Sequence, residues 1–267
     1  MHEEDGMPLV EEDPQADQME SFQNVPKNRS LFFKSDNLFD NLTSREVFEN
    51  KLITYAGLAL SLSNTYRDFT NDKRFAEAVE LLTGSDGTAN LNRTHMLRKS
   101  QRTYATSSLG SSYVLDMQIQ SREFSIVEYA PVMFHSLRLV QGMDVERLTH
   151  ALLPANNKDI LVKSSFAKLG GRGGKPLMKT HDGRFFIKEI TKEEKNVVLE
   201  FLINYHTHMQ RNPQSLLAKI YGIFKVKIHK NKKFYHVLMQ NLDPFEQSHV
   251  VLKYDMKFST VQRATLK

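Results

Sequence analysis

Apolar positions along this chain fall into blocks separated by polar stretches that contain glycine. The first block lies in residues 41–82. "TSREVFENKL" opens with Thr43 and Glu46 at capping-box spacing, and "DKRFAEAVELL" is a second helical run that "TGSDG" brings to a stop. This pattern predicts an accessory helical segment, or helices that fold only on a partner. Residues 83–112 are rich in Ser, Thr, Arg and Asn and predict a linker. Regular patterning returns at Phe124. Pro131 signals a helix start, Gly142 a stop, and Asp144 the N-cap of the next helix.

"DILVKSSFAKLGGRGGKPLMKTHDGRFFIKEI" then predicts strand, glycine-rich turn, strand, an Asp182-Gly183 hairpin turn and a further strand. "TKEEKNVVLEFLINYHTHMQR" predicts a helix. Val197, Val198, Phe201, Leu202, Tyr205 and Met209 recur on one face at helical period, and Asn212-Pro213 breaks the run. A second hairpin joins "IYGIFKVKIH" to "FYHVLMQNL". The predicted class is α+β, an antiparallel sheet with packed helices. The predicted organisation is a disordered acidic tail over 1–40, a helical segment over 41–82, a linker over 83–112 and a lobe over 113–267.

Composition narrows the function. The chain of 267 residues has no cysteine, which excludes disulfides and thiolate metal sites. Every charged residue before Lys27 is acidic, the opposite of a secretory or transit peptide. The longest apolar run, Leu52 to Leu62, is too short to span a bilayer. These features predict a cytoplasmic protein, with any membrane contact peripheral. The net charge of +5 is unevenly spread. Residues 163–267 carry 20 Lys and Arg against 8 Asp and Glu, a net +12, which leaves −7 for the remainder. Such a segment attracts phosphates, anionic headgroups or nucleic acid.

One lysine stands out. Alternation in "RFFIKEI" puts Phe186, Lys188 and Ile190 on one face, so the Lys188 amine sits among large apolar neighbours. It needs a carboxylate or a ligand anion, or else its stem snorkels to water. On a helical wheel Glu194 falls about 20° from the mean apolar direction of the following helix. That makes Glu194 a candidate partner for Lys188, but Thr191 and Glu194 also have capping-box spacing, and both readings stand. "GGRGGKP" is not a Walker A loop, because Leu169 and Pro176 occupy positions that motif reserves for Gly and Ser/Thr. Glycine turn, strand lysine and helix glutamate, in that order, are the layout of a kinase nucleotide lobe.

Here the chain resembles the phosphatidylinositol phosphate kinases of the phosphatidylinositol-4-phosphate 5-kinase type, lipid kinases with a distant kinase-like fold. "FSIVEYAPVMFHSLRLVQGM" is similar to that family's entry segment, and "GRGGKPLMKTHDGRFFIKEI" to its glycine loop and nucleotide-lysine strand. "YHTHMQRNPQSLLAKIYGIFKV" is similar to its Asn-Pro-x-Ser-Leu-Leu segment, "VLMQNL" to its hinge strand, and "KYDMKFSTVQR" to its post-hinge motif. The match covers about Phe124 to Arg263, the N-terminal part of a kinase domain.

The resemblance implies that Lys188 contacts ATP phosphates, that Gly171, Gly173 and Gly174 cover the nucleotide, and that Met239, Asn241 and Leu242 form the adenine hinge. Tyr254, Asp255, Lys257, Ser259, Thr260 and Arg263 correspond to the post-hinge motif. Three departures bear on catalysis: Phe258 replaces a glycine, Pro176 and Leu177 replace an aromatic pair, and Ile203-Asn204 replaces Pro-Asp.

In that family the catalytic aspartates, Mg²⁺ ligands and lipid-selecting activation loop lie in a C-terminal lobe, and residues 1–267 carry no segment similar to it. The expectation is therefore a lobe truncated after the hinge and post-hinge motif, with no catalytic or metal-ligating residue assigned. ATP and Mg²⁺ are the implied cofactors. Phosphoinositides, an anionic membrane surface and a second copy of the chain are the implied partners. A non-catalytic lobe that binds nucleotide or phosphoinositide is the alternative. A nucleic-acid-binding domain rests on charge alone and ranks last.

Overall fold

The computed structural model describes residues 44–83, 96–105, 123–161, 177–228 and 232–242. The acidic tail, Thr43, the glycine turn and the post-hinge motif lie outside them. Helices α1 (Ser44–Asn71) and α2 (Lys73–Thr83) come first. Strands β1 (Lys99–Ala105) and β2 (Glu123–Tyr129) precede helices α3 (Pro131–Val140) and α4 (Val145–Ala151), and a 3₁₀ turn spans Pro154–Asn157. Strands β3 (Leu177–Lys179) and β4 (Phe185–Ile190), helix α5 (Lys192–Arg211), and strands β5 (Ile220–Lys227) and β6 (Lys233–Gln240) complete the fold. All strand pairs are antiparallel, in the order β1-β2-β5-β6-β4-β3. The α+β expectation holds.

Local signals act as their chemistry requires. Pro131 occupies the first turn of α3, where its missing N–H costs nothing. Asp144 accepts from the backbone N–H groups of Glu146 and Arg147 at the start of α4. Gly183 adopts φ +71° in the β3–β4 turn, a conformation that a side chain would strain. At the end of the described part of this stretch, residues 158–161 are helical rather than the start of a strand.

The sheet is covered on both faces, and this corrects the predicted organisation. Helix α1 is no accessory segment. Phe48, Leu52, Tyr55, Leu58 and Leu62 form one stripe, buried in a single cluster with Phe124, Ile126, Phe185, Ile187, Phe224 and Val226. Each leucine in such a position contributes about 1.5–3 kcal/mol of burial. Gly57 lets the helix approach β2, because a Cβ there would lie 2.4 Å from Ile126 Cδ1. On the other face α2, α3 and α5 supply Val79, Leu82, Phe134, Leu137, Leu202 and Met209, packed with Tyr129, Ile190, Ile223 and Val237.

Part of the expected linker is β1, which pairs along its length with β2. It is an edge strand, so one side of it faces solvent and its sequence stays polar. That is why no apolar alternation marks it.

Helix α5 also turns a different face to the sheet than its apolar residues suggest. Val197 is 58% exposed and Phe201 is exposed too, while Lys195 and His206 are buried. Tyr205 fixes this orientation. Its hydroxyl donates to the Ala218 carbonyl at 2.9 Å and accepts from Ile220 N–H at 2.9 Å, tying the helix to β5.

Candidate functional site

The site assembles where β3, β4 and β6 run side by side. Phe186 lies opposite Met239, Lys188 opposite Val237, and Leu177 opposite Lys188. Directly opposed residues in an antiparallel pair share a face. Leu177, Phe186, Lys188, Val237 and Met239 therefore form one strip. Phe186 and Met239 are half-buried, and Leu177 and Lys188 are exposed.

Two expectations need correction here. Lys188 does share a face with Phe186 and Ile190, but it is exposed rather than enclosed by them. Helix α5 packs over Ile190 and leaves Lys188 open, so burial imposes no need for a partner. Glu194 is also exposed, not centred on the apolar face. It belongs to a complete capping box: Thr191 N–H donates to Glu194 Oε2 at 2.6 Å, and Glu194 N–H donates to Thr191 Oγ1 at 3.0 Å. Glu194 is the third helical residue of α5, and its reach back to the N-cap takes it away from the core.

The three residues expected as a hinge have different surroundings. Met239 lies in the strip, and Leu242 is exposed beyond the end of β6. Asn241 is buried and makes structural bonds. Its N–H donates to the Arg184 carbonyl at 2.8 Å and its Nδ2 to the Gly183 carbonyl at 2.5 Å. The end of β6 is thereby clamped to the β3–β4 turn. That turn is closed from within: Thr180 Oγ1 and Arg184 N–H both donate to Asp182 Oδ1, at 2.6 and 3.1 Å, and Arg184 Nε donates to Oδ2 at 2.8 Å. Burial works against the Asp182 carboxylate, but the bonds from Thr180 and Arg184 outweigh it and hold the pKa below its ordinary value. Tyr55 of α1 anchors the edge strand by donating to the Lys179 carbonyl at 2.8 Å.

The Asn-Pro-x-Ser-Leu-Leu segment forms a compact turn after α5. Asn212 Nδ2 donates to the His208 carbonyl at 2.9 Å, and His208 Nε2 lies 2.8 Å from Ser215 Oγ. Leu216 is left 95% exposed.

Lys179, opposite Phe186, lies on the same face, so the strip offers apolar side chains beside two ammonium groups, those of Lys188 and Lys179, which can meet a heterocycle joined to phosphates. Gly171, Gly173, Gly174 and the six post-hinge residues Tyr254, Asp255, Lys257, Ser259, Thr260 and Arg263 lie outside the described residues. Sequence reasoning did not assign Leu177 and Phe186 to the site, although strand alternation around Lys188 was the signal for both. Among the described residues no group of three His, Asp or Glu side chains is placed to hold a metal.

Residues 160–267 match the family model for phosphatidylinositol-4-phosphate 5-kinase. A Dictyostelium discoideum protein named "Probable phosphatidylinositol phosphate kinase" is 32% identical over 142 residues, covering 52% of this chain and 19% of its own. The phosphatidylinositol 4-phosphate 5-kinase its3 of Schizosaccharomyces pombe is 31% identical over 141 residues, covering 53% and 18%. The mouse phosphatidylinositol 4-phosphate 5-kinase-like protein 1 is 29% identical over 146 residues, covering 55% and 35%. The resemblance read from the motifs is thus borne out over about half the chain, and the matched part is a minor share of each relative.

Proposed function

We propose that this chain carries the nucleotide-binding lobe of a phosphoinositide kinase, which transfers the γ-phosphate of ATP to a hydroxyl of a phosphorylated inositol headgroup. The observation that carries this reading is the exposed Lys188 ammonium set in the strip of Leu177, Phe186, Val237 and Met239.

ATP fits the residues present. Phe186 and Met239 offer apolar contact to the base, and Lys188 offers positive charge to the phosphates. When bound, ATP supplies the phosphoryl group. The chain's own part is positioning and electrostatic stabilisation. Lys188 draws phosphate oxygens to the sheet, and Asn241 and Asp182 keep the hinge and turn in register beside it. Mg²⁺ is implied by the family likeness, but its ligands are assigned to no described residue.

The +12 charge of residues 163–267 supports contact with an anionic membrane surface, where the lipid substrate resides. No described helix is long and apolar enough to cross a membrane.

The test is equilibrium binding of ATP to the full chain and to Lys188→Met. A loss of tenfold or more in the variant, with unchanged melting, is expected. Equal affinity removes Lys188 from the site. Departures such as Phe258 support the second reading, a lobe that binds without catalysis. Radiolabel transfer from ATP to phosphatidylinositol 4-phosphate, abolished by Lys188→Met, selects the enzyme. ATP binding without transfer selects the regulatory lobe.

A further inference from the structure

Further along the same sheet face, toward the start of β6 and the end of β5, lysines gather around two tyrosines. Lys195, on the second turn of α5, is only 8% exposed. Its Nζ lies 4.9 Å from the centre of the Tyr129 ring and 5.9 Å from that of Tyr235. Lys99 Nζ lies 5.5 Å from the same Tyr129 ring. Strand register adds the rest: Lys99 is opposite Tyr129, Lys225 is opposite Tyr235, and Lys227 is opposite Lys233. With Lys192 at the start of α5, six lysines from four elements share this surface.

This arrangement is unfavourable for a surface with no ligand. Like charges directly opposite across a strand pair destabilise it. Among the described residues no Asp or Glu forms an ion pair with any of the six. Burial, then Lys99, Lys192 and Lys225, hold the Lys195 pKa below its ordinary value. Burial, then Lys233, Lys99 and Lys227, do the same to Lys225. Glu193 is the one acid whose charge opposes this at Lys195. Ring faces partly offset the cost by cation–π attraction, which also fixes where Lys195 and Lys99 point. Tyr129 has its pKa pushed up to about 12 by burial and then by Tyr235, so its hydroxyl stays a hydrogen-bond donor. Fixed ammonium groups can only donate, and the Tyr129 hydroxyl can donate as well, which suits an anion with many oxygens.

We propose that this surface is a second phosphate-binding site, separate from the Lys188 strip, and that it takes a compact ligand bearing several phosphomonoesters, either a free inositol polyphosphate or a phosphoinositide headgroup displayed on a membrane. Compactness follows from the site itself, in which the Lys195 and Lys99 ammonium groups lie over the Tyr129 ring and Lys225 stands opposite Tyr235 on the same face. An extended strand of phosphodiesters would need a line of charge instead. The site does not depend on nucleotide binding, so its test can fail while the ATP reading stands.

The experiment compares the full chain with Lys225→Gln/Lys233→Gln, strand positions of which Lys225 is half-buried and Lys233 exposed. Titration calorimetry with inositol 1,4,5-trisphosphate and sedimentation with vesicles holding phosphatidylinositol 4,5-bisphosphate provide the two arms. The double variant is expected to lose at least tenfold in both arms, to bind ATP as before, and to melt at the same or a higher temperature. Vesicle binding that free trisphosphate competes away assigns the lipid headgroup. Trisphosphate binding without vesicle binding assigns the soluble ligand. Unchanged affinity in the double variant overturns the proposal. So does equal affinity for phosphatidylserine vesicles of matched charge, or for single-stranded DNA.

Discussion

Glu128 on β2 and Arg138 on α3 are both completely withdrawn from solvent, and Arg138 Nη2 lies 3.5 Å from Glu128 Oε1. Each has further partners. Ser61 and Thr65 of α1 donate to Glu128 Oε2 at 3.1 and 2.6 Å, and Arg138 Nη1 donates to the Tyr221 carbonyl of β5 at 2.6 Å. Burial pushes the Arg138 pKa down and Glu128 pulls it back. Four elements meet at this pair. Removing one member leaves the other charge buried without compensation, which costs about 3–5 kcal/mol. Arg138→Met or Glu128→Leu should each lower the urea midpoint strongly. The double variant should recover much of the loss, and midpoints that simply add would show that the two residues do not act as a pair.

Helix α1 belongs to the core, so removing it should unfold the lobe. A fragment that starts at residue 72 lacks α1 and exposes Phe124, Ile126, Phe185, Ile187, Phe224 and Val226 on the uncovered face. Loss of cooperative melting is expected, read by near-ultraviolet circular dichroism. In the intact chain α1 should resist limited proteolysis as well as β5 does. A fragment with native melting would return α1 to the accessory role that the sequence pattern suggested.

The capping box predicts a separation of effects at Thr191. Thr191→Val removes the acceptor for Glu194 N–H and should cost about 1 kcal/mol of stability. Lys188 lies on the preceding strand with its charge in solvent, so ATP affinity should not change. A parallel fall in ATP affinity would mean that α5 positions Lys188 after all.

Three buried histidines give the fold an acid limit. Burial, then Arg138, push His135 down to about 3; burial pushes His206 down to about 4 and His236 down to about 3. His135 packs 4.5 Å from the Phe69 ring, and neither of its ring nitrogens has a partner. His206 Nε2 lies 2.8 Å from Ser136 Oγ. In the unfolded chain each of the three has the ordinary histidine pKa of about 6.5. The folded values are lower, so the unfolded chain takes up protons first. Stability is complete above pH about 6.5 and falls as pH drops toward 4, by about 1 kcal/mol per pH unit for each histidine once the unfolded form is charged. Asp182 acts only below its ordinary range, outside this window. Urea titrations between pH 7 and 4.5 should show the slope, and His206→Gln should reduce it. A flat profile would mean that these rings are not held neutral.

The legible part of this protein was its local grammar. Pro131, Asp144, Gly183, Thr191 with Glu194, and Asn212 all act within a few residues of themselves, through φ preferences and orphan backbone groups. Their roles follow from spacing, except that only the structure decides between the two readings of Glu194. The order of motifs likewise marks the likeness to a kinase-like lobe and the strand that carries Lys188. What the sequence left open depended on which surface each element presents to its neighbours. An amphipathic helix such as α1 carries a stripe but no address, and only the sheet face of Phe124 and Ile126 shows that the stripe is core. Strand β1 is polar because it sits at an edge, and edges are set by the whole strand order. Val197 and Phe201 match the helical period as well as Leu202 does, yet Tyr205 and the β5 backbone turn them to solvent. Lys188 shares a face with buried neighbours and is still exposed, because α5 ends its cover at Ile190. Burial is a property of pairs of surfaces, so periodicity can name a face but only the packed structure decides what lies against it.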